Sequence, residues 1–328
     1  MNRRILLALI LLLPSAAFAD KSFVVSPDVP GCRSLTPAAI RGPLPPEGIL
    51  AIRWLGTTNF ELVYGSEIIL LDAYYDRGPR NRPIGFEPRD VTRASEIFIG
   101  HAHFDHMSDA ASVGIQTGAP VIGAPTVTDT AISLGLPAKQ AVTVRGGEVL
   151  KYKGFTVEAI LARHSTLAPE VLDAFRKAIA AAAGAPTSEE AAAEAAILKR
   201  GTFDPKVITE GTIAYLFTFD NGFKLVFRNS AGPITDAERA VAKRIGKTDV
   251  AIVGYIGQYV AKRQIAATLP IIQLYNPRLY LPAHHDEIAG TFVDIGLEPL
   301  FMAIKEQLPG TSFLSPLYRE PVCLDIRK

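Results

Sequence analysis

The stretch His101-Ala102-His103-Phe104-Asp105-His106 decides how this chain is read. It follows the apolar run Ile97-Phe98-Ile99, which Gly100 closes. A strand feeding a tight loop brings three imidazoles and a carboxylate to one point at the strand's carboxyl end. Those donors suit zinc and similar divalent metals. The chain holds six histidines and half of them stand here, so a solvated loop rich in histidine by chance is the poorer explanation.

By this H-x-H-x-D-H motif after a buried strand, the chain resembles the metallo-β-lactamase superfamily. The resemblance implies an α/β fold, the αββα metallo-β-lactamase sandwich, with a one- or two-metal site at one edge. It also implies further ligands from later loops. The alternating run Thr156-Val157-Glu158-Ala159-Ile160 leads to His164, where the family places the third histidine of its first metal. Pro282-Ala283-His284-His285-Asp286 follows the last strand signal, and His284 matches the family's second-metal histidine. The implied metal ligands are His101, His103 and His164 for one ion, and Asp105, His106 and His284 for the other. Asp105 and His285 are the implied catalytic groups, Asp105 holding the water or the second metal and His285 assisting the leaving group. Asp72, after Leu70-Leu71, either orients a metal-bound imidazole or caps a turn.

The family pattern breaks after Phe227. Many members carry an aspartate in the next turn that bridges two metals; here the chain reads Arg228-Asn229-Ser230-Ala231-Gly232. Ser230 takes the aspartate's place, and a neutral hydroxyl screens two dications poorly. Asp236 lies six residues further on. The first metal set is untouched by this change. The second keeps Asp105, His106 and His284.

The ends of the chain bear on compartment. Arg3 and Arg4, an apolar core over residues 5–13 and Ala17-Phe18-Ala19 form the pattern of a secretory signal cleaved before Asp20. Cleavage leaves 32 basic against 33 acidic residues, a balance that argues against nucleic acid as a partner. The expected location is periplasmic or secreted, with no stable membrane anchor after cleavage. Cys32 and Cys323 are the only cysteines, and in an oxidising compartment they can close a disulfide joining the two ends of the mature chain.

Residues 20–48 hold six prolines and are expected to be a poorly structured surface lead-in. A single domain is expected over residues 49–328, opening as a meander of short strands: Ile49 to Leu55, Phe60 to Tyr64 and Glu67 to Leu71. Met107-Ser108-Asp109 is expected to start a helix, with Ser108 or Asp109 as N-cap. Residues 165–211 read as a helical insert covering the metal mouth. Leu172, Phe175 and Ile179 share one helix face, and Thr187-Ser188-Glu189-Glu190 is a capping box for an alanine-rich second helix. Strand signals resume at Thr212 to Phe219, and Asn221-Gly222 marks a hairpin.

The chemistry these features point to is metal-assisted hydrolysis, since a bound zinc lowers the pKa of its water towards about 7. One or two zinc ions are the default because imidazole dominates the donors, with iron, manganese and nickel as alternatives. The Gly56-Thr57-Thr58-Asn59-Phe60 opening and the P-x-H ending look like the branch that holds ascorbate-phosphate lactonases and N-acyl-phosphatidylethanolamine phospholipase D. That similarity implies a small-molecule substrate with an ester, lactone or phosphodiester bond. Tyr74, Tyr75, Phe104, Tyr255 and Tyr259 are either core or the lining of an apolar pocket for an acyl chain. The alternative is a non-catalytic metal- or ligand-binding protein of the same fold, with the absent bridge as its argument. A redox reading lacks the carboxylate-rich site it needs.

Overall fold

The computed structural model describes residues 24–25, 29–166, 173, 177, 181, 184–255, 261–286 and 296–327. The signal sequence, the Leu172-Phe175-Ile179 face and Tyr259 lie outside these residues.

In chain order the first seven strands are β1 (Val24–Val25), β2 (Ile49–Trp54), β3 (Phe60–Tyr64), β4 (Glu67–Leu71), β5 (Glu96–Phe98), β6 (Val121–Gly123) and β7 (Ala141–Thr143). They form one sheet with the final strand, β15 (Pro321–Asp325), inserted between β1 and β2. The second sheet holds β8 (Val149–Tyr152), β9 (Phe155–Ala162), β10 (Thr212–Phe219), β11 (Lys224–Arg228), β12 (Thr248–Gly254), β13 (Pro277–Ala283) and β14 (Ser312–Phe313), in that spatial order. Each half starts as an antiparallel meander, β2-β3-β4 or β8-β9-β10-β11. Each then continues in parallel strands, β5-β6-β7 or β12-β13-β14. The two halves thus repeat one topology.

The period-two pattern of the strands sets the layers. In β10, Ile213, Tyr215, Phe217 and Phe219 point between the sheets, and Ala214 and Leu216 point outward. In β4, Ile69 and Leu71 face inward and Ile68 and Leu70 outward. The outer face of the first sheet packs on α2 (Ala110–Thr117) and α3 (Pro125–Ser133), which follow the one-turn helix α1 (Phe104–Met107). The second sheet is covered by α6 (Asp236–Ile245), α7 (Ala261–Tyr275) and α8 (Glu298–Gln307). Helix, sheet, sheet, helix is the expected αββα sandwich. Of the insert, α4 (Ser188–Leu198) and α5 (Lys206–Thr209) are described. The capping box forms as expected, with Glu190 N–H donating to Thr187 Oγ1 at 3.2 Å and Thr187 N–H to Glu190 Oε2 at 2.7 Å.

The lead-in departs from expectation. Val29, Cys32, Leu35, Ala38 and Ala39 are buried against the first sheet. The amides of Ala38 and Ala39 donate to the buried Glu61 carboxylate at 3.1 and 2.7 Å, and Glu61 also pairs with the buried Arg53 at 2.6 Å. Among the described residues, regular structure in the lead-in is limited to β1 and two short 3-10 turns, Cys32–Ser34 and Ala38–Ile40, yet apolar residues at every third position from Val29 to Ala38 cover the sheet face. Cys32 and Cys323 are both buried and joined, with their Cα atoms 6.0 Å apart, so the lead-in is tied to β15. The bond closes a loop across 291 residues of separation. Disulfides typically stabilise a fold by about 2–4 kcal/mol. Reduction, or the Cys32→Ser/Cys323→Ser pair, is expected to lower the melting temperature by about 5 °C. An unchanged melting curve would mean that the bond adds no stability.

Candidate metal centre

The carboxyl ends of the strands deliver the site. Asp72 follows β4, the His101–His106 loop follows β5, His164 follows β9, Asn229 follows β11 and His284 follows β13. Gly100 ends β5 because Asn229 needs its space: a Cβ on Gly100 would sit 2.1 Å from Asn229 Nδ2. Gly232 plays the same part for the His164 segment, since a Cβ there would lie 2.1 Å from the Arg163 carbonyl. His103 is still extended, and α1 then turns Asp105 and His106 inward, with His106 N–H donating to His103 O at 3.1 Å. Thr57, Asp72 and His284 adopt left-handed backbone with φ of 50°, 56° and 61°. Three such non-glycine residues around one spot mark backbone strain that the surrounding contacts must hold.

The six expected ligands fall into two sets. In His101, His103 and His164, and again in Asp105, His106 and His284, the donor atoms lie within 4.8 Å of one another. His101 Nε2 is 3.1 Å from His103 Nδ1. Asp105 Oδ2 lies 3.1 Å from His284 Nε2 and 3.4 Å from His106 Nε2. Nitrogen and oxygen donors at these separations fit one divalent ion per set.

Three of the five rings are held on their far side. His101 Nδ1 faces Asn229 Oδ1 at 3.1 Å, and His164 Nδ1 faces the Ser165 carbonyl. His106 Nδ1 is 2.8 Å from Asp72 Oδ2 and 2.7 Å from Thr58 Oγ1. These contacts fix the tautomers and leave Nε2 free to ligate on all three rings. Asp72 thus takes the orienting role. Asn229 and Thr58 were not foreseen from sequence, because Asn229 contacts His101 across 128 residues and Asp72 across 157, and Thr58 contacts His106 across 48.

Burial, aided by the neighbouring imidazoles, holds His101 well below the ordinary imidazole value. Burial holds His103 at about 4 and His164 at about 3. These rings are neutral at pH 7, with lone pairs available. Burial would also lower His106, but Asp105 and Asp72 outweigh it and push that ring up to about 10. Burial would raise Asp105, and His106 and His284 pull it well below the usual carboxylate range instead.

Ser230, which by sequence takes the place of the family's bridging aspartate, is fully buried and accepts the Ser165 N–H at 2.9 Å. Its loop is gripped by Arg228, whose guanidinium donates to the carbonyls of Ser230, Gly232 (3.0 Å) and Pro233 (3.2 Å) and to Glu238 Oε1 (2.6 Å). An arginine at the end of an apolar strand was the available signal for this clamp. His285 stacks on Trp54, with ring centroids 4.2 Å apart, and its Nε2 is 3.5 Å from Ser315 Oγ. The next residue, Asp286, is buried. It binds Arg77 at 2.7 Å, the Tyr318 hydroxyl at 2.7 Å and Thr57 N–H at 3.0 Å, which fixes the loop that carries His284.

One expectation is corrected here, and one open alternative is decided in part. Asp109 stands at the N-cap of α2 but does not cap it; its carboxylate accepts the amides of Tyr75 and Asp76 at 2.7 and 2.8 Å and faces Arg200. Tyr75 and Tyr255 belong to the two outer core layers, where apolar packing claims them. Tyr74 and Phe104 instead form a small cluster with Ile197 beside the metal loop.

Two outcomes follow from the site's charges. At pH 7, loading the second set is expected to release about one more proton than loading the first, because His106 is protonated there while His101, His103 and His164 are neutral. Calorimetric titration in buffers of different ionisation enthalpy reads that difference; equal release at both steps contradicts it. In the metal-free protein, the depressed His103 and His164 make the unfolded chain bind more protons between about pH 6.5 and 3, so stability falls as pH drops through that window. The raised His106 contributes stability below about 6.5 that is lost as pH rises through about 10. Separately, Asp72→Asn is expected to weaken metal binding at the His106 set about 10–100-fold, and wild-type affinity would remove Asp72 from its orienting role.

No family model matches the chain. It is 24% identical over 269 residues to a UPF0173 metal-dependent hydrolase of Cupriavidus necator, covering 78% of this chain and 82% of that protein. Among solved structures it is similar to Igni18, a metallo hydrolase from Ignicoccus hospitalis, with a TM-score of 0.58 and 15% identity over 84% of this chain and 98% of that one. It is also similar to the metallo-β-lactamase fold protein YhfI from Bacillus subtilis, with a TM-score of 0.51 and 11% identity over 82% and 97% of the two chains. The two repeated half-sheets, the helical layers and these likenesses agree: the chain has the metallo-β-lactamase fold.

Proposed function

We propose that this protein is a metal-dependent hydrolase acting on a small molecule with an ester, lactone or phosphodiester bond. One observation carries the reading: six donor side chains, from segments up to 183 residues apart in numbering, converge as two adjoining three-donor sets, with the outer nitrogens of His101, His106 and His164 already hydrogen-bonded. The metal-dependent hydrolase of Cupriavidus necator, similar over most of both chains, supports the same class. His101, His103 and His164 would hold one ion and Asp105, His106 and His284 a second. Zinc is the preferred ion, with iron, manganese and nickel as alternatives. A bound ion supplies acidified water and polarises the attacked oxygen.

The chain's own residues supply the positioning. Asp72 and Asn229 fix the rings. Asp105, between His106 and His284, is the only anionic donor among the six and orients a nucleophilic water by accepting its hydrogen bond. His285, adjacent to His284 and braced on Trp54, assists the leaving group. The GTTNF opening and P-x-H ending favour the branch of lactonases and N-acyl-phosphatidylethanolamine phospholipase D, and so a substrate carrying an acyl chain. The buried disulfide and the signal-like first 19 residues support a periplasmic or secreted location. Among the described residues no helix is long and apolar enough to cross a membrane.

A second reading, a ligand-binding protein of this fold without turnover, draws on one observation: Ser230 spends its hydroxyl on the Ser165 amide. Metal content and turnover separate the two. His103→Ala is expected to lose about one ion per chain by elemental analysis. It is also expected to cut hydrolysis of p-nitrophenyl acetate or bis(p-nitrophenyl) phosphate by about 100-fold or more. Full metal content in the variant removes His103 from the first set. Two ions in the wild type with no turnover of ester, lactone or phosphodiester would favour the second reading.

A further inference from the structure

Phe203 is the only aromatic side chain left exposed among the described residues, at 64%. Its ring lies against the metal loop, with its centroid 5.4 Å from that of His103 and 6.1 Å from that of Phe104. An exposed aromatic on a loose tail would mean little. This one sits on a backbone fastened from both sides. Thr202 N–H donates to the Ala102 carbonyl at 2.8 Å. Gly201 packs so closely that a Cβ would meet Phe104 N at 2.4 Å. Arg200 pairs with Asp76 at 2.7 Å and with the buried Asp109 at 3.2 Å. On the other side Asp204 Oδ1 accepts Lys206 N–H at 2.8 Å, starting α5. Leu198 and Ile208, on the same insert, are also exposed, at 40% and 37%. The insert therefore holds an apolar ring in place beside a metal ligand and leaves most of it facing water.

We propose that Phe203 is the specificity-determining contact for the apolar part of the substrate: the ring receives an alkyl or acyl group while the polar, scissile part lies on the metal sets. The proposal rests on the metal-centre reading and adds the substrate feature that the insert selects. A ring that merely braced the His103 imidazole would gain nothing from its exposed face. A ring that served the core would not be left in water, since burying a phenyl side chain is among the larger apolar gains open to a fold.

The test uses the zinc-loaded full-length protein and two hydroxamates, acetohydroxamic and octanohydroxamic acid. Both carry the same metal-binding head and differ only in chain length. Calorimetry is expected to give at least about tenfold tighter binding of the octano compound to the wild type, and Phe203→Ala is expected to cut that preference to about threefold or less. Phe203→Leu, which keeps an apolar surface, is expected to restore most of it. Zinc affinity and acetohydroxamate affinity are expected to stay at wild-type values in both variants. An undiminished chain-length preference in Phe203→Ala overturns the assignment and leaves the metal centre standing. Loss of zinc affinity with the preference intact makes Phe203 a brace for His103 and likewise overturns it. Failure of the wild type to bind acetohydroxamate at all would fell the metal-centre reading, and this inference with it.

Discussion

One buried carboxylate organises the site. Asp72 is fully buried, sits in left-handed backbone at the end of β4, and receives four donors. Gly100 N–H reaches Oδ1 at 2.8 Å; Asn229 Nδ2 and His106 Nδ1 reach Oδ2 at 2.9 and 2.8 Å; the Thr58 hydroxyl completes the set. An ionised group taken out of water without partners costs several kcal/mol. Here the partners come from the β2–β3 turn, the start of the metal loop, its helix and the end of β11. The charge is satisfied only when all four segments are docked together. Asp286 and Glu238 repeat the device on neighbouring loops. Asp286 gathers Arg77, Tyr318 and Thr57, and Glu238 gathers Arg228, Tyr275 and the Thr235 amide. Three buried acids thereby specify how the loops at this edge of the sandwich meet.

That arrangement explains what could and could not be read from the chain alone. The metal ligands were legible because histidine is scarce and three of six stand within one loop. The strands were legible where alternation is strong, as in β10, whose two faces enter two different cores. Asn229 was not legible: an asparagine after a strand reads as a turn residue, and only the fold brings it between His101 and Asp72. Asp109 misled for the opposite reason. Its position is that of a cap, but the unpaired amides of Tyr75 and Asp76 and the Arg200 guanidinium compete for its carboxylate and win. The lead-in misled because proline count says how a segment is shaped, not whether its side chains are buried.

The insert shows how a weakly anchored helix can still place one residue accurately. Of α4 only Ile197 is buried, so its packing contributes little apolar burial. Its carboxyl end is different. Arg200 joins Asp76 and Asp109, two acids already fixed against the metal loop, and the chain then runs beside Ala102 and Phe104. The helix is the reach, and the ion pairs and the Gly201 contact are the anchor. Position is therefore set chiefly where the insert touches the site, with Arg80 adding a lighter tie to Glu194 and the Gly184 carbonyl at its other end.

The turn after β11 is where this chain departs furthest from the pattern its motif suggests, and the departure is structurally complete. The serine hydroxyl is committed to the Ser165 amide and the serine carbonyl to Arg228, whose own charge is balanced by Glu238. Hydrogen bonds that secure the His164 segment have taken the place of a negative charge. Asp105 is left as the single anionic donor among the six. Each unit of uncompensated like charge costs about 4 kcal/mol at 4 Å and an effective dielectric of about 20. Two divalent ions in these sets would be short of one negative charge relative to a carboxylate-bridged pair, and the shortfall must be met from outside the protein. The exchange at Ser230 therefore does not argue against a metal centre. On the proposed reading it favours ligands that bring their own negative charge, as a phosphodiester does outright and an ester or lactone does as charge develops on the attacked oxygen.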